Sequence, residues 1–314
     1  MNIGIIGTGG VGGYFGGKIC RLASPPDINV FFVARGGHLE EIRKNGLYIS
    51  TASEGEWMCR PTLATDRISD LPTLDICLLC VKSYDLDRVT IQLSGRISES
   101  TIIVPLLNGV DIYERIRVHL KTGRVYPSCV YVGTHIERYG RIKQDGGACK
   151  ILMGADPLYT GPRPLSLFEI FNRSGIACEW SDNVYTDIWG KYIFISAFGL
   201  VTAAFDKTLG EIMESEMLSR YVLSVMKEIV LIANKMGFAL PETIVTDSYQ
   251  KGHNFPYETK TSFQRDIEAL EKPDERDLFG GTIVRLGLRM KLATPVTEEL
   301  FNVIESRKST SKTN

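Results

Sequence analysis

Excess charge is almost absent from this sequence: 36 lysines and arginines stand against 37 aspartates and glutamates, a formal net charge of −1. A nucleic-acid binder, or a protein held on an anionic membrane, needs a broad positive field, so neither class fits. Long hydrophobic runs are also lacking. The longest, residues 76–81 and 192–200, fall well short of the roughly 20 residues of a membrane-spanning helix. No basic stretch followed by an apolar core opens the chain, so no signal peptide is expected. The 7 cysteines are scattered and odd in number. Cys77 and Cys80 form a CxxC pair, but no second pair or histidine accompanies them to complete a metal site. They fall in the apolar run 74–81, where residues three apart point to opposite faces of a strand. They are expected to be structural thiols in a reducing cytoplasm. Internal repeats and low-complexity blocks are missing as well.

What is present is the mix of a globular protein, with 44% hydrophobic and 23% charged residues, and enough length for two cores. In the first part, short β-branched runs alternate with amphipathic stretches. Residues 2–6, 29–33, 75–81 and 101–105 read as strands, and 12–23 and 37–45 as helices. Such alternation predicts an α/β, Rossmann-type domain with a mainly parallel sheet covered by helices. Further strands are expected at 125–132 and 150–153, with a turn at Asp145-Gly146-Gly147. After about Asp182 helical periodicity takes over, as in 218–236, interrupted at Leu240-Pro241 and Phe255-Pro256 with a loop over 250–256. The expected division is a dinucleotide-binding domain over 1–182, an all-helical domain over 183–309 and a tail over 310–314, with fraying from Arg307 onward.

The strongest local signal is Gly7-Thr8-Gly9-Gly10-Val11-Gly12, a GxGxxG that follows the first strand and opens a helix. The first glycine permits the tight turn and the second lets backbone approach a pyrophosphate. The third lets helix and strand pack closely, while the helix N-terminus attracts the anion. A site for NAD usually carries Asp or Glu at the end of the second strand, to hold the ribose 2′-hydroxyl. Here that strand ends in Ala34-Arg35. A guanidinium suits a 2′-phosphate and offers nothing to a bare hydroxyl, so NADPH is the expected cofactor. Lys82 ends another buried strand, on the side where open α/β sheets bind their ligands.

In this order of motifs the sequence resembles the ketopantoate reductase (2-dehydropantoate 2-reductase) family over nearly its whole length. The resemblance rests on Gly7 to Gly12, Val33-Ala34-Arg35, Val81-Lys82, Leu107-Asn108-Gly109 and Trp189-Gly190-Lys191. It continues through Ser262, Pro273-Asp274-Glu275-Arg276-Asp277, Gly280-Gly281 and Thr294-Pro295-Val296. It implies that Lys82 and Asn108 line a cleft near the nicotinamide, and that Asn108 and Ser262 hold the substrate. It makes Lys191 the catalytic lysine, with Glu275 beside it and the cofactor ribose. Taken alone, Lys191 and Glu275 read as solvated charges, and Asn108-Gly109 as a turn.

The chemistry asks for such groups. When hydride attacks a ketone carbon, negative charge builds on the oxygen, and an adjacent ammonium can stabilise it and donate the proton. A carboxylate such as Glu275 orients that ammonium, and a hydroxyl such as Ser262 can bond a substrate carboxylate or hydroxyl.

One departure bears on the substrate. Four and eight positions after the lysine, and again before a Gly-Glu pair, the family presents asparagines; here those positions are Ile195, Gly199 and Leu209. Ser196, Thr202 and Asn254 are nearby groups that could replace their hydrogen bonds. Three readings stay open. The first is NADPH-dependent reduction of 2-dehydropantoate to (R)-pantoate, for pantothenate and coenzyme A synthesis. The second is reduction of a different, more apolar 2-oxo acid, and the third a non-catalytic NADPH-binding sensor. A homodimer through the helical domain is possible, though no residue pattern establishes it.

Overall fold

The first strand, β1 (Asn2–Ile6), is buried along nearly its full length and runs straight into the glycine turn. The computed structural model of the chain describes residues 1–23, 26–159, 161–269 and 273–310. After the turn come α1 (Gly10–Cys20), β2 (Asn29–Val33) and α2 (Gly36–Asn45), then the hairpin β3 (Leu47–Thr51) and β4 (Gly55–Cys59). The chain continues with β5 (Leu63–Thr65), β6 (Leu74–Leu79), α3 (Leu86–Leu93), β7 (Ile97–Pro105) and α4 (Ile112–His119). Next are β8 (Arg124–Val125), β9 (Ser128–Tyr131), β10 (Thr134–Arg138), β11 (Arg141–Gln144) and β12 (Lys150–Met153), closing with α5 (Leu165–Arg173) and β13 (Ala177–Trp180).

Among the described residues, six strands form one sheet in the order β5-β2-β1-β6-β7-β8, every neighbouring pair parallel. This is the doubly wound arrangement, and its order reverses between β1 and β6. Ile6 at the end of β1 pairs with Val33 of β2 on one side and with Leu79 of β6 on the other, so three strand ends stand level. Backbone leaving those ends has no further strand to pair with and is where a ligand is met.

Two smaller sheets were not foreseen. One runs β10-β11-β3-β4 and the other β13-β12-β9. The first packs on the glycine face of α1. A Cβ at Gly13 would stand 2.6 Å from Ile142, and one at Gly17 2.5 Å from Ile49. On its other side α1 meets the parallel sheet, where a Cβ at Gly16 would come 2.9 Å from Ile5. Glycine is what lets this helix lie flat between two sheets.

The expected strand over 125–132 is two strands in different sheets. Pro127 lies between them, and its missing N–H ends the ladder there. Cys77 is fully buried in β6 and Cys80 half-buried beyond it, and all 7 cysteines are free thiols. Burial pushes the Cys77 thiol up to about 12 and raises Cys80 too, so neither acts as a nucleophile near neutral pH.

The chain separates into two compact units, Met1–Val184 and Tyr185–Asn314. Among the described residues the second is helical throughout: α6 (Val184–Phe205, whose first residue closes the first unit), α7 (Leu209–Glu214), α8 (Glu216–Lys235), α9 (Ile244–Gln250), α10 (Ser262–Glu268), α11 (Thr282–Met290) and α12 (Pro295–Thr310). A π-helical turn, Asp277–Gly281, leads into α11.

Three expectations need correction here. The loop expected over 250–256 is the end of α9 and a 3-10 turn, Lys251–Asn254, with extended backbone beginning at Phe255. The frayed tail expected from Arg307 is helix up to Thr310, and 311–314 lie outside the described residues, as do 270–272 of the charged stretch around Glu275. The apolar run around 192–200 belongs to a helix of 22 residues, long and apolar enough to cross a membrane by length and composition. Its most apolar window is 78% buried within the structure, the pattern of a core helix.

Candidate active site

The glycine turn is built from both neighbouring strands. Gly7 and Thr8 each donate an N–H to the Val33 carbonyl, at 3.1 and 2.8 Å, and the Thr8 hydroxyl donates to the same oxygen at 3.2 Å. Gly7 has φ +95°, and a Cβ there would meet the Cys80 carbonyl carbon and oxygen at 2.9 Å, so only glycine fits. At Gly12 a Cβ would stand 2.2 Å from the Gly7 carbonyl oxygen. Gly10 is required for a different reason: its Cβ would run into the Thr134 carbonyl of β10 at 2.7 Å.

Gly9 alone of these faces open space, with nothing within 4 Å of a Cβ. It caps α1 without a side-chain hydrogen bond, and the first turn carries no acidic residue. The first N–H groups of the helix are therefore left for an anion that can come up against bare backbone. These residues fit the pyrophosphate of a dinucleotide.

The other residues expected near the cofactor lie at the same edge of the sheet. Arg35 follows β2, exposed, and caps α2; Lys82 follows β6, exposed; Asn108 follows β7, half-buried, before Gly109 at φ +126°. The Arg35 guanidinium donates to Asp85 at 2.6 Å, and Arg88 donates to the other oxygen of that carboxylate at 2.6 Å. The sequence reading singled out neither Asp85 nor Arg88. Their i,i+3 spacing is visible in the sequence, but Arg35 lies 50 residues away, and only the strand order brings it there.

His38 of α2 is buried, and its Nδ1 accepts from the Gly140 N–H at 3.0 Å. Desolvation lowers its pKa, with the Thr8 backbone opposing that in part.

In the helical unit, Lys191 and Ile195 are half-buried on α6, four residues apart and so on one face. Gly199 continues that face. Its Cβ would lie 3.6 Å from both Phe263 and Phe279, whose rings stack with centroids 4.6 Å apart. Phe263 is next to Ser262, and Phe279 donates its N–H to the Glu275 carbonyl at 3.0 Å. Two further contacts tie these segments to α6. The Tyr192 hydroxyl donates to the Leu278 carbonyl at 2.6 Å, and the Thr202 hydroxyl lies 2.8 Å from that of Thr261, the cap of α10. The segments carrying Ser262 and Glu275 are thus both fastened to the helix that carries Lys191. Ser262 is exposed. Glu275 is 6% exposed, so it is not the solvated charge its surroundings in the sequence suggest.

Of the groups considered as replacements for the asparagines, Thr202 spends its hydroxyl on Gly199 and Thr261. Asn254 is exposed. Ser196 is fully buried with no hydrogen-bond partner for its Oγ. Leu209 is buried, and its N–H donates to the Thr259 carbonyl at 2.9 Å.

Comparison with known proteins agrees with this arrangement. Residues 3–157 match the family model described as ketopantoate reductase PanE/ApbA, and residues 183–308 match the model of its C-terminal part. The chain belongs to the ketopantoate reductase family. It is 26% identical over 299 residues to an uncharacterized oxidoreductase, YkpB, of Bacillus subtilis, with 95% of each chain covered. It is 26% identical over 328 residues to the 2-dehydropantoate 2-reductase of Mesorhizobium japonicum, covering 97% of each. Among solved structures, the PanE/ApbA family ketopantoate reductase of Ralstonia eutropha superposes with a TM-score of 0.88 at 25% identity, over 99% of this chain and 100% of that one. The protein is an oxidoreductase of this family.

Proposed function

We propose that the protein uses NADPH to reduce the ketone of a 2-oxo acid, 2-dehydropantoate first among them, to the 2-hydroxy acid, in a reducing cytoplasm. The observation that carries the reading is the level row of strand ends at the sheet's switch point. There an open Gly9 backbone and the helix N-terminus stand beside Arg35, in the place where an NAD site would carry an acid. The bound nicotinamide supplies the hydride. Lys191 holds its ammonium at the ketone oxygen, stabilises the charge that develops there and delivers a proton to it. Glu275 orients the lysine, Ser262 holds the substrate's polar groups, and Lys82 and Asn108 lie toward the cofactor.

A second reading, that the substrate is a more apolar 2-oxo acid, is favoured by one observation. On the face of α6 that continues from Lys191, Gly199 abuts the Phe263–Phe279 stack, and Leu209 is buried as well. Those two asparagine positions are closed within the core, and Ile195, half-buried on the same face, offers a substrate hydroxyl no partner, at a cost of about 1–3 kcal/mol if the group is buried there.

The test is NADPH consumption with 2-dehydropantoate and, in parallel, with a branched 2-oxo acid lacking the hydroxyl. Faster turnover of 2-dehydropantoate supports the first reading, and faster turnover of the other supports the second. Binding of NADPH without turnover of any 2-oxo acid contradicts both and leaves a sensor.

A further inference from the structure

We propose that Arg88 is a second cation for the 2′-phosphate of the dinucleotide, acting together with Arg35. This rests on the NADPH reading above and adds a specificity-determining residue to it. Arg35 follows β2, and Arg88 follows β6 in the first turn of α3. These strands flank β1, so they are about 10 Å apart across the mouth of the glycine turn. Asp85 closes that gap. Its carboxylate, with the side chain 11% exposed, accepts from Arg35 through one oxygen and from Arg88 through the other, both at 2.6 Å. The two arginine side chains are 65% and 52% exposed. Each meets the carboxylate through a single nitrogen, so N–H groups of both guanidiniums remain for another anion.

The charge count decides why a second arginine is needed. A phosphate monoester is close to doubly charged near neutral pH. Arg35 paired with Asp85 is a neutral couple and offers such a group no excess charge. Arg88 restores a net positive charge to the cluster. The neighbouring acid Asp87 does not cancel it, because Asp87 is paired with Arg115 at 3.3 Å. Arg35, Asp85 and Arg88 therefore form a site whose positive excess comes from Arg88.

Calorimetric titration with adenosine 2′,5′-bisphosphate and with 5′-AMP tests this without turnover or a 2-oxo acid. The whole protein is expected to prefer the bisphosphate. Arg88→Gln and Arg35→Gln are each expected to lose about tenfold or more in affinity for the bisphosphate, the size of a charged hydrogen bond, while 5′-AMP binding stays unchanged and reports an intact fold. Asp85→Asn added to Arg88→Gln removes the neutralising charge and is expected to recover part of the loss. An Arg88→Gln protein that keeps its preference, while Arg35→Gln loses it, overturns the proposal and leaves the NADPH reading standing. Failure of the double variant to recover any affinity overturns the charge argument. A wild-type protein that binds both nucleotides equally overturns the NADPH reading and this proposal with it.

Discussion

The hydroxyl of Tyr192 donates to the carbonyl oxygen of Leu278 at 2.6 Å, joining the turn of α6 that holds Lys191 to the segment that follows Glu275. Tyr192 is 1% exposed, so this bond is made out of water and fixes the spacing of two chain segments 86 residues apart. Tyr192→Phe keeps the ring and its edge contact with Trp189 and removes only the donor. The expected cost in stability is about 1–2 kcal/mol, measured by denaturant unfolding. If the bond positions Lys191, kcat falls while the affinity for NADPH does not. A loss of stability with unchanged kcat leaves Tyr192 with a structural role only.

Gly9 and Gly12 separate folding from binding. At Gly9 a methyl group meets nothing and φ is −88°, so Gly9→Ala is expected to unfold within about 1 kcal/mol of wild type. Its methyl stands where the pyrophosphate would come, so the dissociation constant for NADPH should rise markedly. Gly12→Ala drives a methyl to 2.2 Å from the Gly7 carbonyl, and is expected to lose about 1–3 kcal/mol of stability as well as binding. Thermal melts and fluorescence titration of NADPH on both variants check this, and equal behaviour of the two contradicts it.

His38 makes stability depend on pH in a definite direction. Burial holds its pKa below the ordinary 6.5, so the folded protein keeps it neutral while the unfolded chain takes up a proton. Its contribution is complete above the unfolded value and is lost as pH falls from about 6.5 toward the lower folded value. His38→Gln removes the titration. The melting temperature of wild type is expected to fall more steeply than that of the variant between neutral and mildly acidic pH, and parallel curves would rule this out.

Ile195 bears on substrate choice. Ile195→Asn restores a hydrogen-bonding group on the Lys191 face of α6, at a half-buried position that has room for it to be hydrated. It is expected to raise kcat/KM for 2-dehydropantoate relative to a branched 2-oxo acid without the hydroxyl, by about tenfold for one recovered hydrogen bond. An unchanged ratio places the substrate elsewhere.

Much of the parallel sheet is legible in the sequence, and the reason is local. β1 and β2 are short β-branched runs bounded by glycine, proline or aspartate, and the structure returns both with the bounds 2–6 and 29–33 read from the sequence. The sheet on α1 escapes the same reading because what it covers is a face of glycines. No apolar period marks a surface whose complement is Gly13 and Gly17, and β4 itself is largely exposed. α6 hides its true length for the opposite reason: it is apolar on nearly all sides, so no amphipathic stripe delimits it. At the site, the glycine turn and Arg35 can be read from spacing along a few dozen residues. Asp85 and Arg88 acquire meaning only when β6 is placed two strands from β2, and the Phe263–Phe279 stack against Gly199 depends on the packing of three separate segments.

The most direct test is the transfer of deuterium from cofactor labelled at the transferable hydride, in wild type and in Lys191→Ala. Wild type is expected to yield a 2-hydroxy acid carrying deuterium at C2. Lys191→Ala is expected to transfer the label more slowly by about 10²–10⁴, with NADPH affinity preserved. A Lys191→Ala protein that transfers the label as fast as wild type, or a wild type that binds NADPH and labels no 2-oxo acid, would contradict the catalytic role of Lys191 or the reductase reading itself.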